Sequence, residues 1–315
     1  MSAGGPGRGC PLSYRYDPAF VFREIDLEVE SLWVAGGLYG NPLALEVLLE
    51  RYERERGSKA LVFNGDFHWF DVDPRDFSDV NQTVLEFSAI RGNVETELTQ
   101  PADGAGCGCG YPDWVDDGTV ERSNRILERL RATAGTFPED LGRLAALPMT
   151  LVASIGGERV AVVHGDADSL AGWNFSQECL ASPASRAAAL TSFSRANVSV
   201  FASSHTCLPV LQCFPGPRLI VNNGAAGMPN FHGTRFGLAT RISLYPSNES
   251  LYSQRASRLF VEAVKLEYDH LAWERRFLAQ WPSGSDAHRS YYERIVDGPR
   301  YAVREALRAE AALAA

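Results

Sequence analysis

The sequence predicts an α/β protein in which strands alternate with helices at first and strands dominate later. Short apolar runs, bounded by Gly, Asn or Asp, alternate in the first half with longer segments of helical periodicity. Several of these apolar runs end in Asp, Asn or His beside a glycine. Because open α/β sheets assemble their sites from loops at strand ends, this pattern predicts a site at one sheet edge.

The first predicted strand covers Leu32 to Ala35 and leads into the glycine-rich turn 36–40. A helical pattern follows from Pro42 to Arg54. Asn41 is suited to the N-cap, and proline is favoured at the first helical position. The segment therefore predicts a strand, a tight turn and a helix.

Two further strands of the first half carry polar residues at their ends. The run 60–63 ends in Asn64-Gly65-Asp66, and the run 87–90 ends in Arg91-Gly92-Asn93. Helices are predicted after them, over 120–134 and 138–147.

The second half predicts a hairpin and then a series of strands. Its two strands, 151–154 and 160–163, flank Gly156-Gly157, and the second ends in His164-Gly165-Asp166. Strand 198–202 runs into Ser203-Ser204-His205-Thr206-Cys207. The remaining predicted strands are 210–214, 219–221, 239–244 and 259–267, and the helices are 270–280 and 302 to the C-terminus.

The length of 315 residues and the 45% hydrophobic content allow a substantial core. We expect a poorly ordered N-terminal segment (1–20), one domain (21–285) and a C-terminal helical extension (286–315). The formal net charge is −9, and 30 Lys and Arg stand against 39 Asp and Glu. This balance predicts no broad basic surface, so no nucleic acid partner is expected.

The N-terminal residues lack the apolar core of a signal peptide, and no later apolar run is long enough to span a bilayer. We therefore expect a soluble cytoplasmic protein without a membrane partner. Six cysteines are too few for a disulfide scaffold, and the cytosol would keep most of them as thiols. Cys107 and Cys109 form one close pair, which is either a metal or redox site or part of an ordinary glycine-rich loop.

Five polar strand ends follow one another in a fixed order along the chain. They are Gly37-Leu38-Tyr39-Gly40-Asn41, Gly65-Asp66, Gly92-Asn93-Val94-Glu95, His164-Gly165-Asp166 and Ser204-His205-Thr206-Cys207. This order resembles that of the calcineurin-like metallophosphoesterases, whose motifs run D-x-H-G-N, G-D-x-x-D, G-N-H-D/E, H-G and G-H-T-H. Within that family, the chain resembles a phosphodiesterase branch. The similarity spans about Leu32 to Pro229. It implies a two-layer β-sandwich core flanked by helices, four layers in all, with a metal cleft at the strand ends.

The resemblance also implies a ligand set for one divalent metal ion: Asp66, Asn93, His164 and His205. The other metal position of the family has lost its own ligands, since Gly37, Tyr39 and Cys207 stand where the motifs have Asp, His and His. The sequence thus predicts a degenerate first metal site beside an intact second one. The family's general acid, the His after the motif Asn, is Val94.

A carboxylate, an amide oxygen and two imidazoles suit Mn, Zn or Fe. One such ion can polarise a phosphoryl oxygen and lower the pKa of its bound water to about 7. His68, Cys207 and Tyr39 could rebuild the emptied position, so one ion is expected and a second is allowed. Alternatively, Tyr39 and Cys207 fill the space of the lost ligands, because a buried Cys behaves as a small hydrophobe.

Substrate binding is predicted for His232 and Arg235, since Arg matches the geometry of phosphate. Asp166 and Asp168 could orient His164, a role that a backbone carbonyl serves equally well.

The function expected from the resemblance is hydrolysis of phosphate mono- or diesters, with a small phosphorylated molecule as substrate. Asp66, His164 and His205 would be catalytic residues, and a metal-bound water would be the nucleophile. Two alternatives stay open. One is a binding or regulatory protein that kept the cleft without turnover, and the other is an altered hydrolytic or redox activity at a remodelled metal site.

Overall fold

The structure, a computed structural model, describes residues 5–17, 19, 24–101 and 104–308. Two β-sheets pack face to face between layers of helices. The six-stranded sheet has the order β11-β12-β10-β2-β3-β4. Its strands are β2 (Ser31–Ala35), β3 (Lys59–Asn64), β4 (Ser88–Ile90), β10 (Gly237–Ser243), β11 (Ser250–Ala256) and β12 (Leu259–Leu266). Strands β2, β3 and β4 are parallel to one another, and the others pair antiparallel.

The seven-stranded sheet has the order β1-β5-β6-β7-β9-β8-β13. Its strands are β1 (Leu27–Val29), β5 (Thr150–Ile155), β6 (Glu158–Val163), β7 (Val200–Ser203), β8 (Val210–Phe214), β9 (Arg218–Asn222) and β13 (Leu307–Arg308). Strands β6, β7 and β9 are parallel neighbours in the middle of this sheet.

Helices cover the outer faces of both sheets. They are α1 (Pro42–Glu53), α2 (Pro74–Val84), α3 (Asn93–Thr99), α4 (Asp117–Ala134), α5 (Pro138–Ala145), α6 (Gln177–Leu180), α7 (Pro183–Ala196), α8 (His270–Gln280), α9 (Asp286–Asp297) and α10 (Val303–Ala306). A short 3-10 helix spans Leu12–Tyr14. None of the described helices has the length and apolar character needed to cross a membrane.

The side chains of β2 alternate between two cores, as the two-residue period of a strand requires. Leu32 and Val34 lie in the core between the sheets, with Val162 of the opposite sheet. Trp33 and Ala35 lie in the outer core with α1, α2, α4, α8 and α9. A third core packs α7 against the outer face of the seven-stranded sheet. The predicted α/β fold, with its two-layer sandwich flanked by helices in four layers, is therefore confirmed.

Most predicted elements form within a few residues of the expected bounds, and Asn41 caps α1 by accepting from the backbone N–H groups of Leu43 and Ala44. The C-terminal tail departs from its helical prediction. It is helical only over α10 and then pairs as β13 with β8, while residues 309–315 lie outside the described part. The domain boundaries stay a prediction, and part of the expected N-terminal segment (1–4, 18 and 20) also lies outside the described residues.

The parallel strands of the two sheets direct their carboxyl ends to one edge of the sandwich, where Asn223 holds them together. Its side-chain amide donates to the carbonyls of Gly36, just past β2, and of Leu238 in β10, at 2.9 and 3.0 Å. Asn223 itself directly follows β9, so this buried side chain joins the two sheets.

We expect Asn223→Ala to lower the free energy of unfolding by about 2–4 kcal/mol, because two buried carbonyls would lose their donor. Urea unfolding followed by circular dichroism measures the change. Asn248→Ala is the control, since Asn248 is exposed, and a surface substitution should stay within about 0.5 kcal/mol. Equal effects of the two substitutions would contradict the bridging role.

Candidate metal centre

Asp66 and Asn93 approach each other because their loops contain glycines where no side chain fits. A Cβ on Gly65 would lie 2.5 Å from the backbone nitrogen of Gly92 and 2.6 Å from Nδ1 of His164. Gly65 also has a φ of +70°, and Asp66 itself has a φ of +51°. The Gly-Asp and Gly-Asn motifs are thus a packing requirement of two loops that cross at close range.

His164 directly follows β6, and its ring orientation is fixed by a backbone carbonyl at the end of β3, in the other sheet. Nδ1 lies 2.8 Å from the carbonyl oxygen of Asn64, which can only accept, so Nδ1 carries the hydrogen. In the neutral ring, Nε2 then carries the lone pair. That atom lies 3.4 Å from Oδ2 of Asp66 and 3.3 Å from Oδ1 of Asn93.

The loop that carries Cys107 and Cys109 orients the other two predicted ligands through its carbonyl groups. Nε2 of His205 donates to the Cys109 carbonyl at 2.9 Å, which leaves Nδ1 as the lone-pair atom, 3.2 Å from Nε2 of His164. Nδ2 of Asn93 donates to the Cys107 carbonyl at 3.0 Å, so Oδ1 faces His164.

Four lone-pair atoms therefore converge at one point, while the hydrogens of the same side chains point outward to backbone carbonyls. Asp66, His164 and His205 are buried, and their ligand atoms all lie within 4.8 Å of one another. Such a set of proton-free atoms, one of them on a carboxylate, fits a divalent cation. The structure thus brings together the four residues predicted as metal ligands.

The charges of the three titratable residues are consistent with this arrangement. Burial opposes charge on His164, but the Asp66 carboxylate raises its pKa above the usual value. Burial likewise opposes the Asp66 carboxylate, yet His164 and His205 lower its pKa. Burial, together with the charge of His164, lowers the pKa of His205 to about 4, so this imidazole is neutral near pH 7 and its lone pair is free.

Glu95 stabilises the two loops of the site, although its carboxylate does not face the ligand atoms. Its carboxylate accepts from the backbone N–H groups of Asp66, Phe67 and Gly92 at 2.8, 3.1 and 2.8 Å. One buried side chain thus fixes both crossing loops. Glu95 stood inside the quoted motif, but its role depends on contacts that the sequence does not reveal.

Tyr39 and Cys207, two residues of the predicted degenerate metal position, bond to each other. Oη of Tyr39 lies 2.7 Å from Sγ of Cys207, and that thiol donates to the His205 carbonyl at 3.3 Å. Burial raises the pKa of both groups, with further contributions from their mutual interaction at Tyr39. Both therefore stay protonated near pH 7, and their mutual hydrogen bond suits the filling of this space.

The tyrosine ring occupies the place that a side chain at position 37 would need. A Cβ on Gly37 would lie 2.9 to 3.1 Å from three atoms of the Tyr39 phenol, and Gly37 has a φ of +64°. The residues at positions 37 and 39 are thus coupled by packing. Arg294 of α9 adds a positive charge here, since its guanidinium donates to the Cys207 carbonyl at 2.7 Å.

His68, predicted as a further ligand, lies apart from this group. Its Nδ1 and Nε2 lie 2.6 Å from Asp71 and 3.3 Å from Asn81, and the ring stacks on Phe77 with a centroid distance of 4.1 Å. Both ring nitrogens are already engaged in a buried polar cluster. His68 therefore has no free nitrogen to offer a metal ion at the emptied position.

The two residues predicted to bind substrate do not line the cleft at Asp66. Arg235 donates to the Val296 carbonyl of α9 at 3.0 Å and to His270 at 2.6 Å. His232 borders a separate depression beside Tyr301. Their loop is held by the C-terminal helices, away from the carboxyl ends of β3 and β6.

Asp166 does not orient His164, because the Asn64 carbonyl takes that role. The Asp166 carboxylate instead accepts from the backbone of Asp168, Ser169 and Asn174, at 2.9 to 3.1 Å. It folds the loop that follows β6. The sulfur atoms of Cys107 and Cys109 are in bonding contact as a disulfide, whereas the other four cysteines are free thiols, as expected for most cysteines.

A small cavity of about 40 Å³ opens beside Asp66, Asn93 and His205. Five aromatic side chains line it: Tyr39, Trp69, Tyr111, Trp173 and Tyr291. Sequence reasoning missed four of these, which lie in three different loops and in α9. No local signal could have found them, since Tyr291 is separated from Asp66 by most of the chain.

Comparison with solved structures supports this description of the fold. A hypothetical protein from Pyrococcus horikoshii OT3 superposes with a TM-score of 0.56 at 17% identity, over 87% of this chain and 100% of that one. A metallophosphoesterase from Sphaerobacter thermophilus superposes with a TM-score of 0.54 at 17% identity, over 86% and 100%. No protein-family model matches the chain, and no curated protein sequence is significantly similar to it.

These likenesses define the class: the chain has a metallophosphoesterase fold, with two sheets flanked by helices. The resemblance drawn from the five motifs is confirmed at this level. Within this fold the chain carries an Asp-His-His group able to hold a divalent metal ion.

We expect Gly37→Ala to destabilise the protein by about 2–4 kcal/mol, from its left-handed backbone and from the clash with Tyr39. Gly157→Ala is the matched control, because Gly157 has a φ of +84° but open space around it. Chemical denaturation of both variants measures the difference. In a Tyr39→Ala background the cost of Gly37→Ala should fall to that of Gly157→Ala, and additive effects would contradict the coupling.

Proposed function

We propose that the protein is a metal-dependent hydrolase of phosphate mono- or diesters that uses one divalent cation. The single observation that carries this proposal is the convergence of Oδ2 of Asp66, Oδ1 of Asn93, Nε2 of His164 and Nδ1 of His205, with their hydrogens turned away. A set of two oxygens and two nitrogens fits Mn, Zn or Fe. A bound cation would supply Lewis acidity for a phosphoryl oxygen.

The chain's own residues have separate tasks in this proposal. Asp66 contributes the negative charge, and its backbone N–H donates to Glu95, which prevents the loop from moving away. The carbonyls of Cys107 and Cys109 keep Asn93 and His205 in the orientation that presents a lone pair. The aromatic walls of the cavity limit water around a bound ester.

The emptied first position supports a count of one ion rather than two. Tyr39 and Cys207 are both protonated and hydrogen-bonded to each other, and His68 is engaged elsewhere. Because Tyr39 and Cys207 are neutral, they would not balance the charge of a second cation. We also propose that the substrate is a small phosphorylated molecule and that the protein is cytoplasmic.

Metal analysis of protein purified without added metal should give about one divalent ion per chain. Asp66→Asn and His164→Ala should each reduce that content severely, because the first removes the negative charge of the ligand set and the second removes one of its four ligands. His288→Ala is the control, since His288 stacks on Tyr292 outside the cavity. Two ions per chain would contradict the single position, and a loss of metal in Cys207→Ser would make Cys207 a ligand.

Hydrolysis of generic phosphomonoesters and diesters tests turnover. We expect Asp66→Asn to lower kcat/KM by about 10²–10³, the usual cost of removing an electrostatic partner of the transition state. A protein that binds one ion but hydrolyses none of these esters would instead be a binding or regulatory protein. Val94 stands where the resemblance implies a general acid, and this observation favours the binding or regulatory protein as the second candidate.

A further inference from the structure

The disulfide between Cys107 and Cys109 lies beside the candidate metal centre, and its S–S bond has no role in the proposed function. Both residues are buried, and Cys109 lines the cavity together with Asp66 and His205. Nδ2 of Asn93 lies 3.7 Å from Sγ of Cys109. A disulfide in a reducing compartment such as the cytosol is usually transient, and it is then catalytic or redox-sensing rather than structural.

The two cysteines orient two of the four candidate ligands through their backbone carbonyls. The Cys107 carbonyl accepts from Nδ2 of Asn93 at 3.0 Å, and the Cys109 carbonyl accepts from Nε2 of His205 at 2.9 Å. Partners of this kind fix the orientation of a ligand, and their loss typically weakens metal binding by about 10- to 100-fold. A change that moves these two carbonyls should therefore change the affinity of the metal centre.

The S–S bond connects Cys109 to a residue that is anchored to a helix. The backbone N–H of Cys107 donates to Oδ1 of Asn124 in α4 at 2.9 Å. Between the two cysteines stands Gly108, with a φ of +68°, and glycine is the residue with the greatest backbone freedom. The Cys109 carbonyl accepts from Nε1 of Trp173, a side chain of the cavity wall, at 3.0 Å. The disulfide thus transmits the anchoring of Cys107 across a flexible residue to the carbonyl of Cys109.

We infer that Cys107 and Cys109 form a redox-active pair whose oxidation state sets the affinity of the metal centre for its cation. The inference rests on the metal centre of the proposed function, but not on ester hydrolysis. In the reduction, a dithiol supplies two electrons and two protons: the S–S bond breaks, each cysteine sulfur gains one hydrogen, and the dithiol is oxidised to its own disulfide. Gly108 is then released from the ring, so the Cys109 carbonyl loses its fixed position and His205 loses its fixed orientation.

The coupling acts in both directions, because metal binding and reduction of the disulfide are linked equilibria. If the oxidised chain binds the cation tenfold more tightly than the reduced chain, the bound cation makes the disulfide correspondingly harder to reduce. A tenfold ratio corresponds to about 30 mV in the midpoint potential of this two-electron couple. The cation is then retained under oxidising conditions and released under reducing ones.

Titration with Mn²⁺, in which electron paramagnetic resonance counts the free ion, tests the first direction. Mn²⁺ favours oxygen ligands over thiolates, so the thiols formed by reduction should not add a competing site. We expect the dissociation constant to rise at least about tenfold after the chain is reduced with dithiothreitol and desalted without oxygen. Alkylation under denaturing conditions verifies the state, with four reactive thiols in the oxidised chain and six in the reduced chain. Equal dissociation constants in the two states would overturn the inference.

A double variant, Cys107→Ser with Cys109→Ser, removes the disulfide without a reductant. We expect it to bind Mn²⁺ as weakly as the reduced chain and to be unaffected by dithiothreitol. Cys179→Ser is the matched control, since Cys179 is a free, half-buried thiol of α6 outside the cavity. Circular dichroism checks that the double variant is folded, and the reduced natural chain supplies the same comparison if it is not. A folded double variant with the affinity of the oxidised chain would overturn the inference.

Redox titration tests the opposite direction and separates this inference from the proposed function. Saturating Mn²⁺ should lower the midpoint potential of the disulfide by at least about 30 mV, with no ester in the assay. An unchanged potential would overturn the inference and leave the single-ion hydrolase standing. Absence of Mn²⁺ binding in both redox states would overturn both. A redox-dependent affinity in a protein that hydrolyses no ester would support the redox-active pair and refute the hydrolase.

Discussion

The structure depends on the close crossing of the loops that follow β3 and β4. Gly65 and Gly92 permit this crossing, and Glu95 fixes it by accepting hydrogen bonds from both loops. The carboxyl ends of the parallel strands in the other sheet then bring His164 and His205 to the same point. A side chain on either glycine would separate the ligand atoms, so the chemistry of the site depends on this backbone packing.

The positions of the side-chain hydrogens make this arrangement suitable for a cation. Each imidazole donates its one hydrogen to a backbone carbonyl, and the Asn93 amide does the same. The inward-facing atoms are therefore lone pairs beside a buried carboxylate, an arrangement that is costly unless a positive charge satisfies it. Although burial opposes a charge on His164, the Asp66 carboxylate raises the pKa of this imidazole above its usual value.

The predicted degenerate metal position and the aromatic cavity share Tyr39. Its ring takes the volume beside Gly37, its hydroxyl bonds to Cys207, and the side chain also contributes to the cavity wall. In this chain the metallophosphoesterase fold thus combines a candidate site for a cation with an aromatic cavity beside it.

The sequence by itself determined the α/β fold class, the order of the main strands and the four candidate ligands, because these depend on short-range patterns and on motifs at strand ends. It could not decide between Tyr39 as a ligand and Tyr39 as filler, nor place His68, since neighbours such as Asp71 and Asn81 are set by packing. Short strands such as β1 and β13, which carry few apolar residues, also required their partners. The aromatic cavity was decided only in three dimensions, because its rings come from distant loops and α9, which share no sequence pattern.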